Sequence, residues 1–191
     1  ATPDVGLVNN AQREHQEFMA SVEAVAIENG AVIQNLPANG CAVFPSDDMY
    51  TPLWKSYAGS RRILSFGLDE QAHVRCTYDV KEFGSVLHIH AEGHKFDVQL
   101  AAAGAHNVRN ALAACSATLA IGISIEMIVK GLQAFVPVAG RLQRKSAKNG
   151  ALVIDDTYNA NPDSVRAAID VLAVAPAPRT LILGLSLIHI S

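Results

Sequence analysis

Leu152-Val153-Ile154-Asp155-Asp156-Thr157-Tyr158-Asn159-Ala160-Asn161-Pro162 is the stretch that decides the fold class. Its first three residues are apolar, two of them β-branched, and read as a buried strand. Asn161 followed by Pro162 is an N-cap with proline at the first helical position, where the missing N–H has no partner to lose, so a helix opens here and runs to about Ala173. Leu181 to Leu183 predicts the next strand. Strand, helix and strand in that order make a βαβ unit, so an α/β domain begins near Leu142.

Moving toward the N-terminus, Ser124 to Ala134 (closed by Pro137) and Asn107 to Ile121 (closed by Gly122) predict two helices. The stretch from His73 to Leu100 behaves differently. Leu87, Ile89 and Ala91 alternate with His88, His90 and Glu92, Gly93 turns the chain, and Phe96, Val98 and Leu100 alternate in turn. That pattern is an antiparallel hairpin with one buried face. Upstream, Val5 to Val8 and Cys41 to Phe44 read as short buried strands, and Ile63 to Phe66 is a further apolar run. Phe18, Val22, Val25 and Ala26 recur at helical spacing. Leu36 to Gly40 is turn chemistry, and Ser46 and Asp47 are placed to cap a helix through Tyr57, stopped at Gly59.

The composition excludes several classes. Half of the 191 residues are hydrophobic and 17% are charged, which is globular rather than disordered. A net charge of -3 offers no basic face to a nucleic-acid backbone. No apolar run reaches the roughly 18 residues of a membrane span, and no basic region precedes an apolar one at the N-terminus, so neither membrane insertion nor secretion is expected. Cys41, Cys76 and Cys115 match no metal-ligand spacing and read as small buried hydrophobes in a reducing cytoplasm.

Three polar segments can carry chemistry. Gly104-Ala105-His106-Asn107-Val108-Arg109-Asn110 opens a helix, where unpaired N–H groups meet a ligand, and Asn107 and Asn110 share a face. Amides that both donate and accept suit a purine edge, although Asn107 as a plain helix cap is the bland alternative. Asp155 to Pro162 follows a strand, the end at which open α/β sheets bind ligands, against the alternative of a capped turn with solvated acids. In Asn9 to Glu17, His15 with Glu14 or Glu17 can hold Mg²⁺, or the stretch is a solvated junction.

GAHNVRNALAA (104–114), VAGRL (138–142) and IDDTYNANPDS (154–164), in this order and spacing, closely resemble the Mur ligase family, and GLVNNAQREHQEF (6–18) with NLPANG (35–40) resembles the start of that family's central ATPase domain after its phosphate loop. The resemblance covers about residues 5 to 184. It implies a Mur-ligase-like central α/β domain with an antiparallel hairpin region over residues 1–140, then the start of a Rossmann-like C-terminal α/β domain over 141–184. The YNANP form implies D-alanyl-D-alanine and UDP-N-acetylmuramoyl-tripeptide as substrates, joined with ATP and Mg²⁺ through an acyl phosphate in peptidoglycan synthesis, by a cytoplasmic monomer. Carried over by motif, His15 binds magnesium, Asn107 and Asn110 lie at the adenine, and His106 is a further nucleotide-binding residue. Arg141 and Asp156 reach the nucleotide as catalytic groups, and Tyr158, Asn159 and Asn161 face the nucleotide or the incoming substrate.

Three departures from that pattern stand out. No G-x-x-x-x-G-K-[ST] cradle for the phosphates occurs; the resemblance places it upstream of Ala1, so the chain is expected to be an internal piece, inactive alone. The family's carbamylated lysine falls at Asn29. Leu185 to Ser191 (LSLIHIS) breaks the pattern and reads as a non-native tail. Two lesser features have bland readings: His88, His90 and His94 as the polar face of the hairpin rather than a zinc cluster, and Trp54 with Tyr57 as packing rather than a stacking platform. The rival functions are a non-catalytic nucleotide- or partner-binding module on the same fold and a related ligase with another amino acid as substrate.

Overall fold

The computed structural model describes residues 3–12, 21–81, 84–158, 160 and 162–184. Six strands form one mixed sheet in sequential order: β1 (Val5–Leu7), β2 (Cys41–Pro45), β3 (Arg62–Gly67), β4 (Val74–Lys81), β5 (Gly84–Ala91) and β6 (His94–Leu100). The first four run parallel, although β3 and β4 share only the pairs Phe66↔Val74 and Gly67↔Arg75. β4, β5 and β6 then form an antiparallel meander, turned at Glu92-Gly93 between Ala91 and His94. The hairpin read from the alternation is therefore present, with a third strand, β4, laid along it.

Helices cover both faces of the parallel half. α1 (Val22–Gln34) and α2 (Thr51–Ala58) pack on one side, with Ala26, Ile33, Trp54 and Ala58 against Ala42 and Phe44 of β2. α3 (Ala105–Ala120) and α4 (Ile125–Gln133) pack on the other, with Val108, Leu112 and Cys115 in one core with Cys41, Val43, Leu64 and Leu87. Alternate residues of β2 thus feed opposite cores, and every one of its five side chains is buried. Trp54 is packing, as the bland reading has it: it is fully buried and its indole N–H donates to the Ala26 carbonyl at 3.0 Å. All three cysteines are free and buried.

Several local expectations need correction. The helix around Ala26 does not stop there; after the polar run Glu28-Asn29-Gly30 the apolar stripe resumes, with Ile33 buried. A side chain at Gly30 would stand 2.8 Å from the Tyr57 ring, so a glycine is what lets α1 and α2 close. Ser46 and Asp47 do not cap α2. Its N-cap is Tyr50, held by the Asp48 carboxylate at 2.8 Å, while Ser46 donates to the Phe66 carbonyl at 3.2 Å and Asp47 accepts from Arg109.

The C-terminal region departs furthest. β8 (Leu152–Asp155) forms, but it pairs antiparallel with β7 (Gln143–Ser146), and Leu152 and Val153 are 39% and 43% exposed. α5 (Pro162–Ala173) follows as read. Leu181 to Leu183 are exposed and join no strand ladder. A strand needs a hydrogen-bonding neighbour, and among the described residues none lies beside this run. Leu185 to Ser191 lie outside the described residues.

Candidate functional site

α3 opens on Gly104, whose φ of +93° admits no ordinary side chain without strain and which has no side chain to cap with. Asn107 is therefore not the cap. Its Nδ2 donates back to the Ala103 carbonyl at 2.7 Å and lies 3.1 Å from His106 Nε2. Burial pushes the His106 pKa below its ordinary value, with the Asp156 charge pulling the other way. A neutral ring carrying its proton on Nδ1 would leave Nε2 to accept from the Asn107 amide.

The next turn is held from two sides. Asn110 Oδ1 accepts from Asn9 Nδ2 at 2.9 Å, and Asn9 stands just after β1. The Arg109 guanidinium grips both oxygens of Asp47 at 2.8 and 2.6 Å, a bidentate pair that holds the Asp47 carboxyl below the usual carboxylate range. Asn29 Nδ2 donates to the Asn10 carbonyl at 3.1 Å, so the amide at that position ties the loop after β1 to α1. Sequence reasoning gave Asp47 only as a helix cap and Asn9 and Arg109 only as members of polar segments, and none of their partners was expected. The pairs they make span 101 and 62 positions, which no local pattern reports.

A second group surrounds Gly140. Gly140, at φ +73°, accepts from the Tyr158 N–H at 3.0 Å, and the Leu142 N–H donates to Asp156 Oδ1 at 3.0 Å. The Arg141 guanidinium lies 4.1 Å from the centroid of the Tyr158 ring. Residues 156–158, just past β8, therefore clamp the segment 140–142. Asp155 faces elsewhere: it pairs with Lys145 and accepts from Thr157, and those bonds lower its pKa.

The opening of α3 borders a cleft of about 280 Å³, lined on one side by Tyr78, Lys81, Gly104 and His106 and on the other by Ile154, Asp170 and Val171; Gly140, Arg141, Asp156 and Tyr158 are not part of its lining. Of the expected site residues only His106 lines it. Val171 is buried at 8% exposure, and its Cγ2 lies 3.1 Å from where a Cβ on Gly104 would stand. Asp156 is linked to the first group by its charge, felt at His106. His15, Asn159 and Asn161 lie outside the described residues.

The three histidines of the hairpin do not converge on a metal. His88 sits between Asp97, at 2.8 Å, and Asp79, at 3.7 Å, while His90 is flanked by Arg75 and Lys95, whose charges lower its pKa beyond the effect of burial. Among the described residues no group of three His, Cys, Asp or Glu side chains is placed to hold an ion, and no helix is long and apolar enough to cross a membrane.

Comparison with known proteins follows the same lines. Residues 1–118 match the Mur ligase middle domain and residues 140–187 the Mur ligase glutamate ligase domain. The UDP-N-acetylmuramoyl-tripeptide–D-alanyl-D-alanine ligase of Escherichia coli K12 is 33% identical over 184 residues, which are 95% of this chain and 41% of that protein. The crystal structure of MurF from Acinetobacter baumannii superposes with a TM-score of 0.84 at 34% identity, covering 90% of this chain and 38% of that one. MurF ligase from Thermotoga maritima, solved in complex with ADP, superposes with a TM-score of 0.77 at 25% identity over 92% of this chain and 40% of that one. The chain thus spans about two fifths of the length of these relatives. With the middle-domain match running through the whole six-stranded sheet and well into α3, the chain belongs to the Mur ligase family.

Proposed function

We propose that this chain forms the nucleotide-facing part of a ligase that joins D-alanyl-D-alanine to UDP-N-acetylmuramoyl-tripeptide at the expense of ATP in peptidoglycan synthesis, with the intervening acyl phosphate attacked by the incoming amine. The observation that carries the reading is the placement of Asp156: it ends a strand, holds the Gly140-Arg141-Leu142 segment through the Leu142 N–H, and its charge reaches His106 at the opening of α3. The helix N-terminus at Gly104 to His106 and Ile154 of β8 line one cleft, and helix N-termini and strand C-termini are the two places where α/β proteins present polar groups to phosphates. The ADP bound by the Thermotoga maritima relative agrees with this reading.

In this proposal residues 1–140 and 141–184 are two bodies hinged at Gly140-Arg141, whose positive φ glycine tolerates a change of path. His106, Asn107 and Asn110 bind the adenine. Stacking on Tyr158 fixes the plane of Arg141 and leaves its in-plane N–H groups to meet phosphate oxygens as charge builds there. Asp156 holds that arginine's segment in place. Tyr158, Asn159 and Asn161 face the substrate side, and His15 holds Mg²⁺, which when bound would neutralise and orient the phosphates. The reading carries with it a cytoplasmic monomer.

The test uses the ligase that contains this chain and follows phosphate release dependent on both substrates. Asn107→Ala should raise the ATP KM about tenfold, the loss of roughly one charge-free hydrogen bond and its desolvation. Asp156→Asn should chiefly lower kcat, with folding intact in both. If both residues served only local turns, each change would lower stability by about 1 kcal/mol and leave the kinetics alone. Unchanged kinetics in both variants would end the proposal.

A further inference from the structure

Asparagine amides present a donor and an acceptor, and a ligand meets whichever the protein has not already used. At the opening of α3 both choices are made by neighbours. The Asn107 NH₂ has two protons; one goes to the Ala103 carbonyl at 2.7 Å and the other lies 3.1 Å from His106 Nε2. Among the described residues its Oδ1, an acceptor, is what remains. Asn110 is set the opposite way. Its Oδ1 accepts from Asn9 Nδ2 at 2.9 Å, so among the described residues its NH₂, a donor, is what remains. Three residues apart on one helix, the two amides lie on neighbouring positions of a face with opposite polarity.

We infer that Asn9, on the loop after β1, is a specificity-determining residue that locks the Asn110 amide with its NH₂ toward the nucleotide base, so that the pair presents an acceptor at Asn107 and a donor at Asn110. That order complements an exocyclic amine beside an unprotonated ring nitrogen, the pattern on both hydrogen-bonding edges of adenine. The inference rests on the nucleotide reading of the site given above and adds the residue that fixes its polarity. Asn9 itself need not touch the base. It is a positioning residue, and its own place is kept by the loop's second tie, Asn29 Nδ2 to the Asn10 carbonyl at 3.1 Å.

Two substitutions at Asn9 separate locking from mere support. In Asn9→Asp the carboxylate can only accept, so Asn110 must turn its NH₂ inward and show an oxygen to the ring nitrogen. In Asn9→Ala the Asn110 amide is free to take either orientation. With the ligase containing this chain, Asn9→Asp should raise the ATP KM about tenfold with kcat within about twofold, and Asn9→Ala only about threefold, the sizes expected of reversing against merely releasing one hydrogen bond. Melting temperatures of both variants check that the fold is kept. The same measurement with 1-deaza-ATP and 7-deaza-ATP identifies the nitrogen: the analogue that binds more weakly to the unsubstituted enzyme should be nearly insensitive to Asn9→Asp, because the bond at stake is already gone. If Asn9→Ala is as damaging as Asn9→Asp, or if the aspartate raises KM equally for ATP and both analogues, the locking role is overturned. An enzyme with no ATP-dependent turnover at all would instead sink the proposed function.

Discussion

β2 and β8 are both short apolar strands, Cys41–Pro45 and Leu152–Asp155, and the structure treats them in opposite ways. β2 lies between parallel neighbours with helices on both faces, and all five of its residues are buried. β8 has one ladder partner, β7, and its first two residues are exposed. Hydrophobicity selects the strand, but the number of covered faces decides whether the strand stabilises anything. The same contrast runs through the described residues: the buried side chains come from β1 to α4 and the loops between them, while among the described residues of 140–184 Val171 is the single buried hydrophobic side chain.

The contrast breaks most sharply at single core positions. Trp54→Ala removes a fully buried indole and its hydrogen bond to Ala26, so it should destabilise the fold by about 3–5 kcal/mol. Val153→Ala, at 43% exposure, should cost about 1 kcal/mol or less. Urea unfolding of both variants measures the difference, and comparable losses would show that β8 is buried in solution and the comparison false.

A smaller effect sharpens a place where the two regions touch. Ala in place of Gly104 would be strained at φ +93°, and its Cβ would meet the His106 ring at 2.7 Å and Val171 at 3.1 Å. Gly122, at φ +78°, has nothing within 4 Å of such a Cβ. Backbone strain of about 1–3 kcal/mol applies to both positions, but only Gly104→Ala should also push α5 away. Limited proteolysis between residues 134 and 142 should therefore speed up in Gly104→Ala and stay slow in Gly122→Ala. Equal rates would mean that Val171 does not seat against the opening of α3.

What the sequence made legible follows the same division. Elements whose signal is local were readable: the alternation of β5 and β6, the start of α5 at Pro162, and the glycine stops at Gly59 and Gly122. β4 alternates as plainly, Val74, Cys76, Tyr78 and Val80 against Arg75, Thr77, Asp79 and Lys81, and could have been read as a strand, whereas β7 is all polar, Gln143 to Ser146, and gives no period. Leu181 to Leu183 carried the pattern of a strand and formed none, since pairing is a property of neighbours rather than of the run itself. Of the residues proposed for the site, His106 and Asn107 drew attention by standing at the start of a helix and Asp156 by following the end of a strand, while Arg141 was named only through the VAGRL motif. The roles of Asn9 and Asp47 were not legible, because a polar residue in a loop looks the same whether it meets water or a partner across the fold.

The smallest effect tests whether the two regions share a field. Burial keeps His106 neutral in the fold, with its pKa below the ordinary value of 6.5, and Asp156 is the charge that opposes the shift. Because the unfolded chain binds a proton there more readily, this site's contribution to stability is complete above the unfolded value and is lost as pH falls through the lower folded one. Replacing His106 by Phe should remove that loss, flattening the stability between about pH 7.5 and pH 5. Asp156→Asn deletes the opposing charge, so the His106 midpoint should fall further, read by NMR from the ring protons. Asp155→Asn is the control: that carboxylate is engaged with Lys145 and Thr157 and does not figure among the groups acting on His106. A midpoint that moves with Asp156 and not with Asp155 places the strand end of the second region beside the helix opening of the first. A midpoint that ignores both would leave each group to its own turn, and the cleft between them would lose its claim to be one site.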